Sequence, residues 1–369
     1  MKQPIYEFDH FCDELGPAKV IHIYEPHIGL KAIVVIDNVA IGPAIGGVRM
    51  APDVSTEEVF RLARAMTKKN AAAGLAHGGG KSGILADPKT VDKLGLIRAF
   101  AKAIRDLVDY IPGPDMGTNE SCMAVIHDEI GRAVGLPRVL GGIPLDEIGA
   151  TGYGVAQCAE VAAPFCGLDL NGARVAIEGF GNVGQHAARY LAEKGAKLVA
   201  ASDSQGAIHD GQGIEVDELV AVKQKSGSVV NYGSGKKISN TELFAVDCEI
   251  LVPAARPDCI HRDNAADIKA KLILQGANIP ATAAAEMLLH QRGVLIVPDF
   301  IANAGGVICG AVEYHGGTER DAFEQIAEKI RYNTELVLTR VRDEKIVPRH
   351  AAVEMARERV LAAMALRQH

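Results

Sequence analysis

The sequence predicts an α/β chain of two domains, the second built on a doubly wound parallel sheet. Three observations lead there. The chain has 369 residues, more than the roughly 100–200 of a typical domain. A Pro/Gly-rich stretch, Leu136–Gly149, holds Pro137, Gly141, Gly142 and Pro144 and reads as a hinge. Beyond it, short apolar runs alternate with helical segments, as strands joined by crossover helices do. We therefore divide the chain at 1–145 and 146–339.

The first domain mixes elements. The run Ala32-Ile33-Val34-Val35-Ile36 marks a strand over Lys31–Val39. Ser55 with Glu58 three residues on reads as a capped start for a helix towards Ala73. Leu94, Ile97, Ala101, Ile104 and Val108 recur at helical steps and predict one apolar face. After the hinge, Thr151–Phe165 reads as a helix, Ala173–Ile177 as a strand, Asn182–Lys194 as a helix and Lys197–Ala201 as a strand. Glu249–Val252, Leu272–Leu274 and Val294–Val297 are further short strands. From Thr318 the chain reads as helical to its end, with Val353, Ala356, Val360 and Met364 on one face.

Composition narrows the function classes. A net charge of −7 and a pI near 6.0 argue against nucleic-acid binding, which depends on cations neutralising phosphates. With 48% hydrophobic and 23% charged residues, the chain is an ordinary globular one and not a disordered one. Its seven cysteines contain no Cys-x-x-Cys pair and read as free thiols. The acidic start at Glu7 leaves no secretory apolar core. Asp299 and Asn303 interrupt the apolar stretch Leu295–Val312, which is too short for a membrane span. We expect a cytoplasmic protein without nucleic-acid, membrane or metal partners.

Gly179-Phe180-Gly181-Asn182-Val183-Gly184 matches G-x-G-x-x-G between a strand and a helix. A second strand ends at Asp203, 19 residues after Gly184. The pattern and its setting together fit a Rossmann-type dinucleotide site. Gly179 permits a tight turn, Gly181 a close approach to the pyrophosphate, and Gly184 close helix–strand packing. The helix start at Asn182 and Val183 offers N–H groups to phosphate. Asp203 is the candidate ribose acceptor and favours NAD over NADP, although NADP is possible.

A second glycine cluster, His77-Gly78-Gly79-Gly80-Lys81-Ser82-Gly83, lacks the P-loop spacing. A lysine set among close-packed backbone is held away from water. It then becomes a stronger acid than a free lysine and suits proton transfer near neutrality. Asp115, between Pro114 and Met116-Gly117, is a rigid loop carboxylate suited to positioning.

Together these stretches resemble the glutamate/leucine/phenylalanine/valine dehydrogenases, the NAD(P)-dependent amino acid dehydrogenases. The resemblance runs through Gly46-Gly47-Val48-Arg49, Lys69-Asn70, Gly78 to Lys81, Asp87-Pro88, Asp115, Ala150-Thr151-Gly152, the dinucleotide fingerprint, Gly276-Ala277-Asn278 and Asn303-Ala304-Gly305-Gly306, in the family's order. It implies oxidative deamination of an L-amino acid to its 2-oxo acid and ammonium. By resemblance, Lys69 binds the substrate α-carboxylate, Lys81 activates water, Asp115 shuttles protons, and Thr151 and Asn278 contact the cofactor. The family fold implies an N-terminal substrate and oligomerisation domain, C-terminal helices (about 340–369) packing back on it, and a homo-oligomer.

Two rival readings are weaker. A 2-hydroxy acid dehydrogenase would use a His base with an Arg clamp, and only His77 lies in such a glycine-rich setting. A non-catalytic dinucleotide-binding regulatory protein need not keep Lys69, Lys81 and Asp115. Glutamate-specific relatives typically carry Lys immediately before Gly-Gly-x-Arg, where Ile45 stands here, and Ser after Asn-Ala-Gly-Gly, where Gly310 stands. With Gly46 and Gly47 beside it, that pocket is expected to take a neutral apolar amino acid (leucine, valine or phenylalanine), with glutamate as the alternative.

Overall fold

The computed structural model describes residues 11–367. The N-terminal reading at Glu7 lies outside them. The chain forms two compact units. The first runs to Pro144 and is joined by Val307–Ala322 and by the chain from Glu354 onward; the second holds Leu145–Gly306 and Phe323–Val353.

In the first unit the order is β1 (Lys19–Glu25), β2 (Leu30–Asn38), β3 (Ala44–Ala51), α1 (Thr56–Ala72), β4 (Gly78–Leu85), α2 (Lys93–Ala103), β5 (Tyr110–Pro114) and α3 (Glu120–Ile130). The sheet order is β1-β2-β4-β3-β5. β3 runs parallel to β4 and β5, whereas β1–β2 and β2–β4 are antiparallel. One core, with Val48, Met50, Phe100, Tyr110 and Met123, fills one face of the sheet. A second, with Ala51, Val59, Phe60 and Ala63, packs α1 on the other.

Nothing in the sequence marks the strand β4, because glycine weakens a strand interior and Gly78-Gly79-Gly80 opens it. The strand is nevertheless central in the sheet. A Cβ at Gly79 would run into the Thr67 backbone of α1, and one at Gly46 into the Gly80 carbonyl. The glycines are there because helix and neighbouring strand approach too closely for side chains. Gly79→Ala is therefore expected to destabilise by about 3 kcal/mol or to prevent folding, the upper range for overpacking; a melting midpoint like that of wild type would show that α1 can shift.

The α2 face also differs. The helix ends at Ala103, and Leu94 and Val108 are exposed. Its buried residues are Leu96, Ile97, Phe100 and Ala101. In α1, Ser55 does cap, its hydroxyl accepting from the Glu58 N–H at 3.2 Å. The Glu58 carboxylate pairs with Arg49 instead of completing a capping box.

In the second unit the order is α4 (Ala150–Phe165), β6 (Arg174–Glu178), α5 (Asn182–Glu193), β7 (Lys197–Asp203), β8 (Gly206–His209), α6 (Val216–Ser226), β9 (Lys236–Ile238), α7 (Asn240–Leu243), β10 (Ile250–Pro253), α8 (Arg262–Ala265), β11 (Leu272–Leu274), α9 (Ala283–Gln291), β12 (Leu295–Val297) and α10 (Asp299–Ala302). The sheet order is β12-β11-β10-β6-β7-β8-β9. The strands β12 to β7 are parallel, as expected, but β8 and β9 add an antiparallel edge. Both are short and carry no long apolar run, so periodicity does not reveal them.

Three helices complete the chain: α11 (Gly305–Tyr314), α12 (Glu319–Glu344) and α13 (Pro348–Leu366). The expected single helical tail is broken at Lys345, whose φ is +56°, ahead of Pro348. Within the first unit, Arg357 of α13 pairs with Glu14 at 2.7 Å, and Arg359 donates to the Ala71 carbonyl at the end of α1. Among the described residues, no helix is long and apolar enough to cross a membrane. The seven cysteines are unbridged.

Candidate active site

The first unit gathers a charged cluster on the α1 face of its sheet. Strand alternation puts Gly79, Lys81 and Gly83 on that face, since side chains two apart share a side. Gly83 meets Val54 and Val59 there. On β3 the same alternation aligns Ile45, Gly47 and Arg49 with Ala51, while Val48 and Met50 enter the opposite core. Asp115 follows β5, whose Gly113 is in register with Gly47.

Lys81 Nζ lies 2.7 Å from Asp115 Oδ2, and Arg49 Nε approaches the same oxygen at 3.2 Å. The lysine side chain is only 9% exposed and the aspartate 19%. Burial pushes the Lys81 ammonium below its ordinary lysine value, outweighing the attraction of Asp115, and Arg49 adds to the lowering. Burial alone would raise the Asp115 carboxyl; Lys81, Arg49 and a backbone N–H from Met116 instead hold it low. The pair is thus a buried ammonium and carboxylate sharing one short contact, each held below its ordinary value. Gly47 leaves the space: its Cβ would come 2.7 Å from the Asp115 Cβ and 3.1 Å from Lys81 Nζ.

Lys69 is half-buried in the last turn of α1, the helix covering this face. Asn70 beside it donates to the Gly78 carbonyl at 2.7 Å, tying that turn to the start of β4. Ile45 is buried. Gly310 of α11 is buried too, with Val134 as its neighbour at 3.8 Å from a Cβ position; Val134 also stands against Gly113.

Sequence reasoning missed Arg49, Glu58 and Val134 as parts of this cluster. Arg49 has the detectable signal, two residues after Gly47 and so on the same strand face. Val134 has none, because only the fold brings it to Gly113.

The second unit carries the features of a dinucleotide cradle. Gly179, at φ +89°, closes the turn after β6, and a Cβ there would meet Ala255 at 2.5 Å. Gly181 faces open space, and Gly184 abuts the Gly179 carbonyl. α5 begins at Asn182 with no side-chain cap, leaving first-turn N–H groups for an anion. Asn182 itself donates to the Asp146 carbonyl at 2.7 Å, and Val183 lies near Gly276. Thr151 opens α4 beside Gly306, 3.2 Å from its Cβ position. Asn278 is exposed and accepts from Asn303 at 3.0 Å. These residues fit a nicotinamide dinucleotide at the carboxyl ends of the parallel strands. Asp203 differs from expectation: its side chain is only 7% exposed and its carboxylate is occupied by protein donors. No group of His, Cys, Asp and Glu suited to a metal occurs among the described residues.

A dinucleotide sheet in one unit and a buried lysine–aspartate pair in the other define a class, the NAD(P)-dependent amino acid dehydrogenases. Sequence comparison agrees. Residues 141–368 match the profile for Glutamate/Leucine/Phenylalanine/Valine dehydrogenase, and residues 17–132 match the Glu/Leu/Phe/Val dehydrogenase dimerisation domain. The chain belongs to this family and is an oxidoreductase.

Among relatives, a glutamate dehydrogenase of Aeropyrum pernix is 44% identical over 355 residues, 89% of this chain and 85% of that protein. An NADP-specific glutamate dehydrogenase of Saccharolobus shibatae is 44% identical over 75% of this chain and 69% of its own length. An NAD-specific one of Staphylococcus aureus (strain COL) is 39% identical over 85% and 81%. Among solved structures, the hetero-hexameric glutamate dehydrogenase of Thermus thermophilus, Leu bound form, superposes with a TM-score of 0.83 at 29% identity, over 96% of this chain and 90% of that one. The L-tryptophan dehydrogenase of Nostoc punctiforme gives 0.76 at 26%, over 95% and 98%. The glutamate names favour the alternative substrate over the apolar one expected from Ile45 and Gly310.

Proposed function

We propose that this chain catalyses the reversible oxidative deamination of an L-amino acid to its 2-oxo acid and ammonium. The observation that carries this reading is the 2.7 Å contact between buried Lys81 and Asp115. Bound NAD(P) supplies the hydride acceptor, and the protein supplies position and proton transfer. Asp115, held as a carboxylate, takes a proton from the substrate ammonium. Lys81, whose ammonium loses its proton more readily than an exposed one, then acts in its neutral form and draws a proton from the water that attacks the iminium carbon; Asp115 returns its proton to the amino nitrogen as the C–N bond breaks, and ammonia leaves, taking the hydroxyl proton as ammonium. Lys69 pairs with the α-carboxylate. The protein works as a homo-oligomer, a reading supported by its match to the family's dimerisation domain.

For the substrate, the relatives weigh towards L-glutamate. A second reading, a neutral apolar amino acid, retains a specific observation. Ile45 shares the Lys81 face, and Val134 lies between Gly113 and Gly310, so the wall near the pair is apolar. A side-chain carboxylate left unpaired there would cost several kcal/mol, whereas each buried methylene gains roughly 0.8 kcal/mol. Steady-state kcat/KM for L-glutamate, L-leucine, L-valine and L-phenylalanine decides. Glutamate ahead of the other three supports the first reading; glutamate at least about 100-fold behind supports the second. Ile45→Lys is expected to raise the glutamate-to-leucine ratio about tenfold or more. An unchanged ratio would mean that position 45 does not face the substrate side chain.

A further inference from the structure

Two histidines outside the charged cluster meet within the first unit. His77 stands immediately before β4, and His315 immediately after α11. Their Nε2 atoms lie 3.0 Å apart. His77 is 1% exposed, whereas His315 is open to solvent. His77 Nδ1 lies 3.1 Å from the carbonyl of Pro43, the residue before β3. Its neighbour Gly78 donates to the Gly42 carbonyl at 3.1 Å. The ring therefore touches the roots of β3 and β4, the strands that carry Ile45 and Lys81. The end of α11 is equally well fixed. Gly317 donates to the Val312 carbonyl and Gly316 to that of Glu313, with Gly316 at φ +74°, the usual glycine closure of a helix. The Glu313 carboxylate accepts from the Leu136 and Ile143 N–H groups at 3.0 and 2.8 Å.

The contact obeys a proton rule. A carbonyl only accepts, so His77 Nδ1 carries the hydrogen and its Nε2 is bare. His315 then donates from Nε2, and it does so neutral or charged, because its second proton sits on Nδ1. One added proton keeps the contact. A second sets N–H against N–H and breaks it. From the end of α11, Tyr314 and His315 both face the His77 ring, while Glu313 is engaged by the hinge loop. Burial pushes His77 below its ordinary value of 6.5, the Pro43 carbonyl opposes this, and His315 adds to the lowering. The unfolded chain thus takes up this proton first. The stabilisation is complete above about pH 6.5 and is lost as pH falls through the lowered His77 value.

We propose that His315 is a positioning residue for the substrate pocket: its shared hydrogen with His77 straps the end of α11 to the roots of β3 and β4, and a doubly charged pair releases the Gly310 and Ile45 walls. The pocket role rests on the dehydrogenase reading above; the strap itself does not.

Hydrogen exchange at one pH and steady-state kinetics across pH test it on the full chain, with His315→Ala and His315→Gln. His315 is exposed, so both variants should fold. Glutamine offers an N–H to a neutral His77 and, turned over, an oxygen to a charged one, so it keeps the strap at every pH. Near about pH 8 the alanine variant is expected to exchange faster over residues 40–47 and 307–317. Its KM for the best amino acid should rise about three- to tenfold with kcat within about twofold, the worth of one net hydrogen bond. The glutamine variant should match wild type in both. On lowering to about pH 5, where histidines charge, wild-type KM should rise at least about threefold relative to the glutamine variant. Protonation of Asp115 is common to both and cancels in that ratio. Unchanged exchange and KM in the alanine variant, or a ratio flat with pH, overturns the proposal. No turnover of any L-amino acid, with exchange responding as expected, would overturn the dehydrogenase reading instead, and the pocket role with it.

Discussion

Lys81→Ala is expected to lower turnover by about 10²–10⁴-fold, the usual contribution of a positioned proton-transfer group, or about 3–5 kcal/mol of barrier. The ammonium is buried beside Asp115 and shifted towards its neutral form, so no exposed lysine or bulk water reproduces it. Folding should survive, because Arg49 still faces the carboxylate at 3.2 Å. The pH dependence supplies a second readout. Lys81 is the leading attraction that lowers the Asp115 carboxyl. Without it the carboxyl rises, protonation begins at higher pH, and the acid limb of residual deamination moves upward. A variant keeping a tenth or more of wild-type turnover would show that Lys81 is not catalytic.

Asp115→Asn should cost a similar factor in turnover while leaving the dissociation constant for NAD within about threefold of wild type. The amide keeps the shape but accepts no proton from substrate. It also removes the negative charge that opposes desolvation of Lys81, so the lysine falls further below its ordinary value and is neutral over more of the pH range. Removing one member of a buried ion pair costs about 3–5 kcal/mol of stability, so melting curves must accompany the kinetics. A collapse of NAD affinity with turnover preserved would contradict the proton-shuttle role.

Much of the second unit was legible because its strands are short, apolar and separated by helices. Leu272–Leu274 coincides with β11, and the fingerprint lies between β6 and α5 as expected. The first unit was harder. β4 was hidden because its glycines answer to tertiary closeness, at Thr67 and Tyr110, and no local propensity records that. The same closeness made the Gly-Gly-Gly-Lys run conspicuous as a site, so chemistry was easier to read there than structure. Lys81 and Asp115 could be nominated from residue type and setting. Their contact, and the share Arg49 takes in it, required the register of β3, β4 and β5. Asp203 shows the opposite limit: its spacing matches a ribose acceptor, but Ser228 and Val229 arrive from 25 and 26 residues away to claim it.

Product stoichiometry tests the central claim most directly. Purified enzyme is incubated with NAD or NADP and an L-amino acid, and reduced cofactor, 2-oxo acid and ammonium are counted together. One of each per turnover is expected, with no reduction when the matching 2-hydroxy acid replaces the amino acid. Cofactor reduction without ammonium release, or turnover of the hydroxy acid instead, would contradict the account.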